Sequence, residues 1–153
     1  MKIEDQVTNL ELSKKLKELE VPQNSSFYWR KYSLTKEPCL YFLGDIKVLD
    51  KNKVGLAVLS GKLEFEYSAF SVAELGEMLP KELYIPYKGN SGKKRKYPQY
   101  PHCFFGGEEY FLVNYTGGNS REFLTQQGDT EANARAQMLV YLIEHKLLDP
   151  KKI

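Results

Sequence analysis

The stretch KLEFEYSAFSVAELGEMLP, residues Lys62 to Pro80, changes its hydrophobic period halfway along. In its first part Leu63, Phe65 and Tyr67 alternate with Lys62, Glu64 and Glu66, the two-residue rhythm of a strand with one buried face and one wet face. In its second part Ser71 and Glu74 stand at capping-box spacing. That spacing opens a short helix over Val72 to Leu79, which turns Leu75, Met78 and Leu79 inward and stops at Pro80. Strand and helix follow one another as separate elements, with no alternating βα unit of the kind that builds a parallel sheet.

Upstream, Val54 to Leu59 predicts the other arm of a hairpin with Lys62 to Tyr67, turning at Ser60-Gly61, because glycine accepts the positive φ of a tight turn. The wider region from Ser26 to Tyr67 is rich in Tyr, Phe, Leu and Val, and it is broken by Pro38, Gly44, the polar run Asp50 to Lys53, and Gly61. It reads as successive short antiparallel strands. Before it, Thr8 and Glu11 predict a capped helix. Leu12, Leu16 and Leu19 share one face of that helix, Lys14, Lys15, Lys17 and Glu18 take the other side, and the helix ends before Pro22.

Downstream, the pattern predicts a strand over Leu83 to Tyr87, a loop from Gly89 to Pro101, a strand near Tyr110 to Tyr115, and one more near Phe123. The longest helix runs from about Thr130 to Leu148, where Ala132, Ala136, Leu139, Leu142, Ile143 and Leu147 form a broad apolar face and Asp149-Pro150 stops it. This order predicts a single α+β domain over residues 1–153, a mainly antiparallel sheet with an N-terminal helix, a short middle helix and a long C-terminal helix, the helices on one face.

Two blocks, YSAFSVAELGEMLP (Tyr67 to Pro80) and DTEANARAQMLVYLIEHKLL (Asp129 to Leu148), resemble a group of small uncharacterised proteins common in phages and prophages. They cover under a quarter of the chain and consist mostly of capping and packing residues. The resemblance implies a small accessory protein working in a bacterial host cytoplasm and carries over no catalytic residue.

Composition supports folding without staples, since 42% of residues are hydrophobic and 153 residues suffice for a core. Cys39 and Cys103 lie far apart with no paired spacing, which suits two buried thiols in a reducing compartment. The N-terminal MKIEDQVTNLELSKK lacks the apolar centre of a secretion signal, and no stretch has the length of a membrane span. A net charge of +2 excludes a global field of the kind that marks many nucleic-acid binders, so any such signal is local.

The local signal is KGNSGKKRKYPQYPH. Lys88, Lys93, Lys94, Arg95 and Lys96 occur there with no acid before Glu108, and Tyr97 and Tyr100 follow. Cations for phosphates beside aromatic rings for bases is the arrangement that single-stranded nucleic-acid binding uses, while the same run also suits a solvated loop tip. It is not a phosphate loop, because Tyr87 stands where the first glycine is needed and Lys94 where Ser or Thr must follow the lysine. Arg95, Pro98 and Pro101 match the spacing of a polyproline ligand.

Tyr28, Trp29 and Tyr32 with Arg30 and Lys31 form a second aromatic and basic cluster. If Phe27 and Trp29 face the core, Tyr28, Arg30 and Tyr32 share the outer face and can stack on a base or a partner. His102, Cys103 and His145 supply the imidazoles and a thiol, but they are scattered, with neither zinc spacing nor an orienting third group. Glu108 and Glu109 are neighbours, which in an extended segment point apart.

These readings predict no cofactor, no metal and no catalytic residue. They predict a non-enzymatic accessory protein whose sheet face and basic loop bind a protein partner. The alternative is nucleic-acid binding through Lys88, Lys93, Lys94, Arg95, Lys96, Tyr97 and Tyr100, with Tyr28 and Arg30 assisting. A homodimer through an exposed edge strand is compatible with either.

Overall fold

The computed structural model describes residues 2–34, 36–42, 62–88, 94–105, 110–116 and 124–153, and for 84–88, 94–105 and 116 it describes the backbone. The expected strand Val54 to Leu59, and with it the hairpin turn, lies outside the described residues, as do Lys93, Glu108, Glu109 and Phe123. The chain forms a 3-10 turn (Ile3–Gln6), α1 (Leu10–Glu18), β1 (Phe27–Tyr32), β2 (Cys39–Phe42), β3 (Leu63–Ser68) and α2 (Val72–Met78). It continues through β4 (Leu83–Lys88), β5 (Lys94–Phe105), β6 (Phe111–Thr116), β7 (Leu124–Gly128), α3 (Glu131–Glu144) and a closing 3-10 turn (Pro150–Lys152). The α+β class and the three-helix layout are as the sequence predicts. The strands, however, divide into two antiparallel sheets, ordered β2-β1-β3 and β4-β5-β6-β7.

Helix α3 packs on the second of these sheets. Thr130 caps it, its hydroxyl accepting from the Asn133 amide at 3.1 Å. Of the expected apolar face Ala132, Ala136, Leu139, Leu142 and Ile143 are buried and Leu147 is half-buried, and Ala134 and Met138, which lie off that face, are buried too. The helix therefore packs on more than one side, on β6 and β7 and against α1 and α2. Small Ala132, Ala134 and Ala136 allow that close approach, while Leu139 and Leu142 fill the main core with Leu16, Phe70 and Leu75. The helix ends at Glu144, one turn short of the expected Leu148. Lys146 adopts a left-handed φ of 57°, and the amides of Leu147 and Leu148 donate to the Leu142 carbonyl at 2.8 and 3.2 Å, folding both leucines back onto the core. No described helix is long and apolar enough to cross a membrane.

Asn9, not Thr8, caps α1, its side chain accepting from the Leu12 amide at 2.9 Å. Thr8 is fully buried and used elsewhere: its amide donates to the Phe70 carbonyl at 2.9 Å, and its hydroxyl accepts from the Phe70 amide at 3.0 Å and shares a 2.7 Å hydrogen bond with Ser13. The helix finishes through Glu20 at φ 61°, before Pro22 is reached. Its charged side works as well. Lys15 pairs with Glu144 of α3 at 2.7 Å, and Lys17 donates to the Glu66 carbonyl at 3.0 Å and lies over the Tyr67 ring.

In the first sheet, Phe27 and Trp29 pack on Val7, Leu40 and Ala69, as expected for the inner face. Tyr32 does not follow Tyr28 and Arg30 outward. The register shifts between Lys31 and Tyr32, and Tyr32 is buried. The alternation expected of β3 is also blurred, since Leu63 is exposed and Glu66 is half-buried against Arg30. Helix α2 has the expected capping box. Glu74 also reaches across to the Ser26 amide at 3.0 Å and the Ser25 hydroxyl at 3.1 Å, pinning the entry to β1. Burial alone would raise the pKa of Glu74, but the hydrogen bonds from Ser71, Ser26 and Ser25 outweigh it and hold the carboxyl below its ordinary value.

Two predictions follow from this packing. Gly128 ends β7 under the first turn of α3, where a Cβ would lie 2.8 Å from the Asn133 carbonyl carbon and closer still to the Ala134 amide nitrogen. Gly128→Ala should therefore lower the urea-unfolding stability by about 1–3 kcal/mol, as overpacking against unyielding backbone does. For Glu74, a depressed native pKa means that its contribution is complete above the unfolded-state pKa and is lost as pH falls through the native one. Wild-type stability should fall between pH 6 and pH 3 more steeply than that of Glu74→Gln, and near neutral pH the variant should be less stable by about 1 kcal/mol.

Candidate functional site

From Leu83 to Gly107 the chain carries five cations and no carboxylate. In the structure this run is not the expected loop from Gly89 to Pro101. Lys94 to Pro101 belong to β5, and the first half of β5 pairs with β4 from Leu83 opposite Gln99 to Lys88 opposite Lys94. Strand β6 takes over at Tyr100, which stands opposite Thr116. Among the described strands, residues 94–99 therefore have β4 alone as a partner, and they form with it a two-stranded ribbon about 20 Å long at ordinary strand rise. Its root is in the core, since Leu83 is buried in the main cluster.

The local chemistry explains the strands. Tyr84, Ile85, Tyr87 and Tyr97 favour extended backbone. The prolines fit because Pro86 lies on the outermost strand of its sheet and Pro98 lies where β5 is paired on one side only, so that a missing N–H need not break a ladder. The same pairing rules out the polyproline reading of Arg95, Pro98 and Pro101, since that conformation has a fully solvated backbone and these residues stand opposite Tyr87, Tyr84 and Tyr115 in antiparallel ladders.

Of the site residues expected from the sequence, Lys88, Lys94, Arg95, Lys96 and Tyr97 fall on this one ribbon, and Tyr100 at its junction with β6. Tyr28 and Arg30 belong to the other sheet. Arg30 forms an ion pair through Nε with Glu66 Oε2 and lies 5.5 and 5.6 Å from the ring centres of Tyr28 and Tyr41. Tyr28 donates its hydroxyl to the Gln23 carbonyl at 3.2 Å and accepts from the Ser25 amide at 3.3 Å. Both side chains are thus engaged, Tyr28 by the segment just before β1 and Arg30 within its sheet. The Glu66 partner was not visible in sequence, because it depends on the register of β1 against β3.

The candidates for covalent or metal chemistry lie on different elements, His102 and Cys103 on β5, Cys39 on β2 and His145 just past α3. His102 stands opposite Asn114 and Cys103 opposite Val113, and neighbours on a strand take opposite faces. The His145 Nδ1 lies 2.9 Å from the Tyr141 carbonyl oxygen, and its ring stacks on that of Tyr141 at 3.9 Å. Cys39 is half-buried, not buried as expected, and its thiol donates to the Glu37 carbonyl at 3.8 Å. Among the described residues no three His, Cys, Asp or Glu side chains are grouped to hold a metal ion. A cleft of about 420 Å³ is lined by Asp5, Gln6, Val72, Phe111, Asp129, Thr130 and Glu131. Its carboxylates are already used: Asp129 accepts from Thr130 and Asn133, and Glu131 accepts from Arg135 at 2.6 and 2.9 Å.

A double-mutant cycle on Arg30→Ala and Glu66→Ala should give a coupling of about 1 kcal/mol in unfolding stability, since the pair is partly shielded from water and Arg30 is flanked by two rings. A coupling of zero would leave Arg30 available for an outside ligand. No family model matches the chain, and neither a curated protein nor a solved structure does.

Proposed function

We propose that this protein is a non-enzymatic binding protein that engages nucleic acid through the β4–β5 ribbon. The observation that carries the proposal is charge segregation. The segment that includes the ribbon holds five of the 22 cations and none of the 20 acids, so the rest of the chain, with 17 cations, carries −3. A cationic element on a body of opposite sign orients a polyanion toward itself and supplies the phosphate contacts from which sequence-independent affinity comes. The resemblance to phage and prophage proteins supports a setting in a bacterial cytoplasm, where the protein would act as an accessory factor.

A second reading rests on the outer edge of β4, which pairs with no described strand. An extended segment of a partner protein, or the same strand of a second copy, would add there by backbone hydrogen bonds. Pro86 and Lys88 on that strand are residues of the kind that guard edges against such addition, which favours the nucleic-acid reading.

The deciding experiment is fluorescence anisotropy of labelled DNA and RNA titrated with the protein at low and near-physiological salt, beside a variant with Lys93, Lys94, Arg95 and Lys96 changed to Ser. Binding should weaken steeply with salt, and the variant should reduce the log–log salt slope by about 2, the share of three lysine–phosphate contacts on a single strand. Absence of binding at low salt, or binding that the variant leaves unchanged, would turn the search to a protein partner.

A further inference from the structure

We infer that the ribbon face on which Tyr87, Arg95 and Tyr97 fall stacks unpaired bases, so that the ligand of this site is single-stranded nucleic acid. The inference rests on the nucleic-acid reading above and narrows its substrate class. In an antiparallel ribbon, residues directly opposite share a face and neighbours along a strand alternate. The register sets Lys88 opposite Lys94 and Pro86 opposite Lys96, which places the three lysines on one face. It sets Tyr87 opposite Arg95 and Ile85 opposite Tyr97, which places the two tyrosines and the arginine on the other. The lysines are thereby gathered on one face, which Tyr84 joins near the base opposite Pro98, while Tyr87, Tyr97 and Arg95 fall on the other, an arrangement invisible while the segment reads as a loop.

Each face points to one part of the same ligand. Like charges directly opposite destabilise a hairpin, and no carboxylate between Leu83 and Gly107 offsets the Lys88–Lys94 pair, so an anion such as a backbone phosphate relieves it. Tyrosine rings and a guanidinium plane offer stacking that any base accepts. In a duplex the base faces are covered by their neighbours and only the edges are open in the grooves. A face built of planar groups therefore has a partner in an unpaired strand and none in paired DNA.

The test compares three labelled probes by anisotropy: an oligothymidine, an abasic strand of equal length and charge, and a duplex. Unaltered protein should bind the oligothymidine about tenfold or more tightly than either of the others, the scale of one or two stacked bases. A Tyr87→Val/Tyr97→Val variant, which keeps strand-favouring side chains, should lose that preference while its salt slope stays the same. Equal affinity for the thymidine and abasic strands, or a duplex bound as tightly, would overturn the single-strand inference and leave nucleic-acid binding standing. No binding of any probe would overturn both. The abasic comparison uses the unaltered chain, so it decides the question even where the variant ribbon fails to form.

Discussion

Thr8 is met by a partner at each of its polar atoms, and the first helix, the first sheet and the approach to α2 meet around it. It is fully buried, so none of those atoms can turn to water. Its amide and hydroxyl hold both the carbonyl and the amide of Phe70, its hydroxyl holds Ser13 of α1, and its carbonyl accepts from the Trp29 indole at 2.8 Å. One residue thus joins the N-terminal segment, the first helix, the first sheet and the connection into α2. Part-buried polar contacts continue from there at Asn9, whose amide donates to the Asn133 side chain at 2.9 Å, and on to Asp129, which accepts from Asn133 at 2.7 Å at the start of α3. Removing a member of such a chain leaves its partners unsatisfied, at about 1–3 kcal/mol each. That cost makes the arrangement of the three helices specific rather than merely apolar.

The second sheet depends on α3 in turn. Gly128 lets β7 lie directly under the first helical turn, and buried Tyr115 of β6 donates its hydroxyl to the Pro80 carbonyl at 2.7 Å. Burial pushes the Tyr115 phenol well above its ordinary pKa, only slightly opposed by the Arg135 charge, so it remains a donor. Because Pro80 lies just before β4, this bond fixes the place where the ribbon leaves the body. Leu83 anchors the ribbon base in the same core. An element carrying so many like charges stands only if its root is held by other means, and these contacts supply them.

The helices were legible because capping and apolar spacing are local, and Ser71 with Glu74 forms the box that the sequence predicts. Thr8 misled for a tertiary reason: its hydroxyl had a local option at the helix start, and buried partners 5 and 62 residues away took it instead. The ribbon was legible as a set of residues and illegible as a structure. Lysine, proline and glycine read as a loop, and only a pairing that is one-sided around Pro98 reconciles that composition with a strand. The division into two sheets, the Arg30–Glu66 pair and the burial of Tyr32 all depend on register, which hydrophobic period alone does not specify.

Charge separation matters more here than net charge. At physiological ionic strength the screening length is about 8 Å, while the ribbon extends about 20 Å at ordinary strand rise. The far half of the ribbon, where Lys88 stands opposite Lys94, therefore lies more than one screening length along the ladder from the base at Leu83. Among the described residues, acidic groups of the body such as Glu144 and Glu131 are already paired with Lys15 and Arg135. On the proposed reading, a molecule with a net charge of only +2 would present a polyanion with a local site of much higher charge density, and would present it at one end. On that reading the layout would limit how nucleic acid lies on the protein, because contact along the ribbon would be favoured while contact with the rest of the chain, at −3, would be opposed.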